Sequence, residues 1–129
     1  MQDLASSMSA AAHGLTLQAA RLRVTAENIA NADTPGYHRK ILTFSQLLGE
    51  NDAKVPVPGP VTFSAEKLPR IHDPAHPLAD AQGYYDGSNV DLMIEIADAR
   101  EAQRSYEANL KMLDQARQMM TGLIDLLRR

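Results

Sequence analysis

The chain has 129 residues, a formal charge of −3 and no cysteine. That is one domain's length, with no disulfide or thiolate chemistry and no basic stripe to neutralise phosphates, so no nucleic-acid partner is expected. Two Phe, four Tyr and no Trp leave an apolar content dominated by alanine, which favours long helices with thin seams over a broad core.

The first element reads as a helix from Asp3, an expected N-cap, to about Ala30. Met8, Leu15, Leu22 and Ile29 recur every seven residues, and Ala5, Ala12, Ala19 and Ala26 recur three residues before them. Such seams bury against other helices. Before Asp33 the only charged residues are Asp3, Arg21, Arg23 and Glu27. A helix so short of solvating charge is expected to be covered by partners, although packing within its own domain stays open. Gly14 weakens the helix by about 1 kcal/mol relative to alanine. Asn31 to Tyr37 should end it, with Pro35 and Gly36 at the centre of a type II turn. Residues 37–44 then read as a short strand or extended arm.

Six of the seven prolines fall between residues 49 and 88. Val55-Pro56-Val57-Pro58 suggests an extended polyproline-like run, and Val61-Thr62-Phe63 an edge strand. Ser88 and Asp91 have the spacing of a capping box that opens a second helix. There Tyr106, Leu113, Met120 and Leu127 recur every seven residues, with Leu110 and Ile124 three earlier, while Gln103 and Arg117 interrupt the seam. Glu107–Lys111 and Asp125–Arg129 are favourable pairs, and Arg128 and Arg129 suit the helix C-terminus. The expected fold is mainly α. Two long terminal helices form a coiled-coil-like core, and a small β-rich or irregular Pro-rich segment forms an appendage. The corresponding segments are 1–34, 35–88 and 89–129.

The one enzyme-like cluster is His72-Asp73-Pro74-Ala75-His76-Pro77 with Asp80. His-x3-His brings two rings together only on a helix, and Pro74 and Pro77 oppose one. A turn whose histidines bond the backbone is the expectation. Gly83 and Gly87 are isolated, so no phosphate-cradling loop is expected, and Tyr84 and Tyr85 read as anchors for the appendage. No catalytic, cofactor or metal site is expected, and the chain is read as a non-enzyme. No run approaches the ~18 apolar residues of a membrane span. The first basic residue, Arg21, comes too late for a cleaved signal peptide.

Asn28-Ile29-Ala30-Asn31-Ala32-Asp33-Thr34-Pro35-Gly36-Tyr37 resembles the N-terminal signature of bacterial flagellar rod, hook and hook-associated proteins. Three further stretches resemble a proximal rod family: His76-Pro77-Leu78-Ala79-Asp80-Ala81-Gln82-Gly83-Tyr84, Asn89-Val90-Asp91, and Arg104-Ser105-Tyr106-Glu107-Ala108-Asn109. The likeness spans nearly the whole chain and is weakest between about 45 and 70. Two positions depart from it. The compact Thr34-Pro35-Gly36 turn has the form of the sister rod protein FlgB, and Ser88 stands where a proline usually precedes Asn-Val.

The resemblance implies a structural subunit of the basal-body rod in the periplasm. Such subunits are exported by the flagellar apparatus without a cleaved signal, and they polymerise with copies of themselves and other rod proteins to transmit torque. The terminal segments would form the rod core and the middle an outer appendage. For such an assembly the heptad seams supply the expected interface: Met8, Leu15, Leu22 and Ile29 with Tyr106, Leu110, Leu113, Met120, Ile124 and Leu127. Outside the family, a soluble coiled-coil adaptor and a small metal-dependent enzyme using His72 and His76 are the competing readings.

Overall fold

The computed structural model describes residues 2–48 and 54–128. Its elements are α1 (Gln2–Ala30), β1 (Lys40–Leu48), β2 (Lys54–Phe63), β3 (Arg70–His72), β4 (Tyr84–Asp86) and α2 (Leu92–Leu127). The fold is mainly α, with a β middle.

Alanine and unbranched side chains carry α1 without interruption. Asp3 lies inside its first turn rather than capping it. There its carboxylate faces the positive end of the helix dipole, which serves the same electrostatics without a cap bond. At the other end Tyr37 N–H donates to Thr34 O at 3.2 Å, and Gly36 takes φ 75. That is the type II turn expected of Pro35-Gly36, where only glycine is unstrained at the second centre position.

The start of α2 corrects the capping-box expectation. Asp91 is itself the N-cap and accepts Met93 N–H at 3.0 Å. Ser88 instead donates its hydroxyl to Ala32 O, at the end of α1. Asp91 already supplies the acceptor a cap requires, so Ser88 is free to tie the two helix ends together. Arg128 is the C-cap. The expected Asp125–Arg129 pair and the dipole role of Arg129 lie outside the described residues.

The helices pack antiparallel. Asn28 meets Glu95, Arg21 meets Glu101 at 3.8 Å, and Gly14 lies under Asn109. Steps of seven along α1 therefore match steps of seven along α2. Gly14, Arg21 and Asn28 face Asn109, Ala102 and Glu95, and Ser7 shares a groove with Ala116. This seam is small and polar. Its buried apolar members are Ala11, Leu17 and Val24 on α1 and Ala102 and Ala116 on α2. The seams expected from the leucine pattern lie beside it. Met8, Leu15, Leu22, Ile29, Tyr106, Leu113 and Met120 are half-buried, and Ala5, Ala12, Ala26, Leu110, Ile124 and Leu127 are exposed.

Between the helices lie two antiparallel ribbons. β1 pairs with β2 from Lys40↔Phe63 to Leu48↔Lys54, and β3 with β4 from Arg70↔Asp86 to His72↔Tyr84. The first strand thus starts three residues later than expected, because Tyr37 to Arg39 are drawn into side-chain contacts described below. The supposed polyproline run is β2. Pro56 pairs with Gln46 and Pro58 with Phe44. A two-stranded ribbon leaves β2 an outer edge, and prolines two residues apart turn their donor-less nitrogens to that same edge. The register shifts between Leu42 and Phe44. There Thr43 donates to Pro60 O at 2.6 Å, and a Cβ on Gly59 would sit 2.8 Å from Thr43 Oγ1.

A Cβ on Gly14 would fall 2.6–2.8 Å from the Asn109 carboxamide, which donates to Ser105 O at 2.9 Å. Gly14→Ala should therefore not yield the usual helix gain of about 1 kcal/mol, because Asn109 must give up its bond. In an Asn109→Ala background the gain should return. A double-mutant cycle by urea unfolding is expected to show coupling of about 1–2 kcal/mol, and strict additivity would contradict the close approach.

Candidate functional site

Where α1 ends, the strand begins and α2 starts, polar side chains from three segments interlock. Asn28 is their centre and is 1 % exposed. Its Oδ1 accepts Lys40 N–H at 2.9 Å and the Tyr37 hydroxyl at 2.8 Å. Its Nδ2 donates to Lys40 O at 2.9 Å and to Glu95 Oε2 at 3.3 Å. Each capacity of the carboxamide is used. Toward Lys40 it presents the donor and acceptor that a neighbouring strand would present.

Glu95 is 0 % exposed. A carboxylate so buried costs several kcal/mol unless it is partnered. Its partners are the Arg39 guanidinium and Asn28. Arg39 also reaches Asp98 at 3.2 Å, and Lys40 pairs with Glu27. Asn89 works in parallel with Asn28. It accepts Arg39 N–H on Oδ1, donates through Nδ2 to Glu66 O at 3.0 Å, and gives its own N–H to Tyr37 O at 3.2 Å. Among the described residues no buried side-chain nitrogen or oxygen lacks a partner. Burial first, and then the Glu27 carboxylate, raise the Tyr37 hydroxyl above its ordinary value of 10.0.

A second cluster sits at the β3–β4 tip. Asp80 accepts N–H groups from Gln82 and Tyr84, each at 2.9 Å, and pairs with Arg70 at 2.6 Å. The Tyr84 N–H is the main cause that holds the Asp80 carboxyl below the usual range, and Arg70 adds to it. His76 accepts Leu78 N–H at 3.1 Å, as the turn reading requires, and stacks on Tyr85 with centroids 3.9 Å apart. His72 packs edge-on against Tyr84 at 4.7 Å. The two histidines therefore serve different tyrosines. Among the described residues no group of three His, Asp or Glu side chains is placed to hold a metal. Gly83 takes φ 84, and a Cβ there would meet Pro74 at 2.8 Å.

The motif residues thus separate into three places. Asn28, Tyr37 and Asn89 belong to this interlocked polar group, here called the clasp; Asn31, Pro35 and Gly36 form the adjoining turn, and Val90 follows Asn89 in the chain. His76, Pro77, Asp80, Gly83 and Tyr84 build the tip, and Tyr106 and Asn109 lie on α2. Sequence reasoning missed Glu95, Arg39 and Lys40. An acid in a helix's first turn reads as a dipole partner, and only the pairing of Asn28 with an acid across the fold reveals its burial.

A family model described as flagella basal body rod protein matches residues 8–38, and one described as flagellar basal body rod FlgEFG protein C-terminal matches residues 81–126. The two matched segments contain most of α1 and α2 and define an axial, structural class of protein, not an enzyme. Curated relatives narrow the class. Flagellar basal-body rod protein FlgC of Agrobacterium fabrum is 40% identical, with 99% of this chain and 98% of that protein covered. Its namesake from Salmonella typhimurium is 35% identical over 90% and 92%, and that from Bacillus subtilis 28% over 93% and 95%. The chain belongs to the FlgC family of flagellar basal-body rod proteins.

Asn28→Asp would remove both donors and set a second carboxylate against buried Glu95. The expected loss is about 3 kcal/mol, read by chemical unfolding, against about 1 kcal/mol for Tyr37→Phe.

Tyr37 should also ionise later than an ordinary tyrosine in a spectrophotometric titration. Its contribution to stability is complete below pH 10.0 and is lost as pH rises through the raised folded value. Tyr37→Phe should delete the late phase, and an unchanged titration would place the hydroxyl outside the clasp.

Proposed function

We propose that the chain is a structural subunit of the flagellar rod in the periplasm, polymerising with copies of itself and with other rod proteins to transmit torque. Export by the flagellar apparatus without a cleaved signal goes with this reading. Residues 1–34 and 89–129 are the assembly core, and 35–88 the outer arm and appendage.

The observation that carries the proposal is the inverted placement of side chains. Within the chain the helices bury alanine, a few polar groups and, of the larger apolar residues, Leu17 and Val24. Most large apolar residues stay outside, among them Met93 at 78 % and Leu127 at 81 % exposure. An isolated two-helix protein would place its leucines in the seam between its own helices. A subunit that joins others keeps them for its neighbours. The matching seven-residue steps of α1 and α2 support a coiled-coil-like geometry for the core. Contacts between different faces of identical subunits propagate as an open helical assembly. Asn28, Asn31, Pro35 and Gly36 end α1 and set the direction in which the chain leaves the core.

Leu22 lies on the flank of α1, outside the internal seam, so it tests assembly more than folding. Leu22→Asp is expected to leave expression intact and to prevent incorporation into rods, read by immunoblot of isolated basal bodies and by motility. Motile cells with normal basal bodies would refute the interface. A soluble dimer that never extends would favour the adaptor reading.

A further inference from the structure

The outward face of α2, turned away from α1, carries charge in an ordered sequence. The internal seam uses Glu95, Ala102, Asn109 and Ala116, one residue every seven. The positions opposite, at about 100° per residue, form two parallel rows with the same repeat. One row reads Met93, Arg100, Glu107, Asp114, Thr121, and the other Ala97, Arg104, Lys111, Gln118, Asp125. All ten side chains are exposed. The face thus runs from apolar through basic to largely acidic. Among the described residues Arg100, Arg104, Lys111, Glu107, Asp114 and Asp125 have no ion-pair partner within the chain. Asp114 accepts only a 3.3 Å bond from Gln118.

We propose that this face docks the same face of a second copy, parallel and offset by two heptads, about 21 Å along the helix. The proposal rests on the rod-subunit reading and specifies one of its copy-to-copy contacts. Charge selects the offset. In register, each charge would meet its own kind. An offset of one heptad sets Arg104 against Lys111 and Glu107 against Asp114. An offset of three leaves only Arg104 with Asp125. Two heptads set Arg100 against Asp114 and Lys111 against Asp125, with no like pair in either row. Glu107 then meets Thr121, Arg104 meets Gln118, and Met93 and Ala97 lie over the aliphatic parts of Glu107 and Lys111. Such exposed charges choose register and exclude wrong partners more than they add affinity. Because each copy offers a basic half and an acidic half, the contact is heterologous and does not close on itself.

The natural absence of cysteine makes the test clean. Glu107→Cys and Thr121→Cys together in one chain should give, on mild oxidation of isolated basal bodies, covalent dimers, trimers and longer species. Either cysteine alone should give none. Adding Asp114→Arg should lower the cross-linked fraction by about tenfold, and adding Arg100→Asp as well should restore it. In the cysteine-free chain the same reversal and its compensation should lower and restore incorporation. Basal bodies that contain the chain but yield nothing beyond a dimer, or cross-linking by either single cysteine, would overturn this pairing while leaving the rod reading intact. Absence of the wild-type chain from basal bodies would overturn both.

Discussion

The carboxamide of Asn28 is the constraint from which the rest of the architecture follows. It stands at the end of α1, reads the backbone of the first strand residue and touches a buried acid on α2. Three segments distant in sequence are thereby held at one point. An unpartnered carboxylate at Glu95 would be intolerable, so Arg39 must come in, and Arg39 fixes the arm that launches the ribbon. The direction of the appendage and the pairing of the helices are set by the same few bonds. Polar groups suit this task because hydrogen bonds have direction, whereas an alanine seam supplies proximity without selecting one register over another.

This arrangement divides the chain's side chains between two tasks. Small residues let α1 and α2 approach, and Gly14 lies close under Asn109. The clasp then defines how they are aligned. The large apolar residues are left to face outward, and a pair of helices that buries so little of them has its strongest unspent driving force directed at neighbours. The middle segment meets that seam at the clasp, through Arg39 and Lys40. Its β3–β4 tip is held by short-range features: Asp80 collecting two N–H groups, Arg70 between two carboxylates, and histidines stacked on tyrosines.

Much of this was legible in the sequence and some was not, for physical reasons. The extent of α1, its stop at Pro35-Gly36 and the existence of α2 follow from local propensity and turn chemistry. The heptads were visible too, but periodicity marks the large residues. The row at the centre of the internal seam, one position to the side, is mostly glycine, alanine, asparagine and glutamate, which no hydrophobic pattern reports. The proline run looked polyproline-like because the ladder partners that make it a strand, Phe44 to Leu47, lie on the far side of a hairpin. Ser88 looked like a cap because a hydroxyl three residues before an acid usually is one. Its actual acceptor, Ala32 O, belongs to the far side of the fold. Glu95 gave no signal of burial, since a lone acid near a helix start is normally solvated.

The prolines of β2 have a consequence for a protein that must meet many copies of itself. A ribbon with an open edge is a template for aggregation, because any passing strand can continue the ladder. Pro56 and Pro58 strip the donors from one edge of this ribbon, and at the first residue of β1 Asn28 already occupies the other. Crowded copies are therefore discouraged from zipping together through their sheets. Association is left to the helices, whose patterned faces can be satisfied in an ordered stack and poorly satisfied in a tangle.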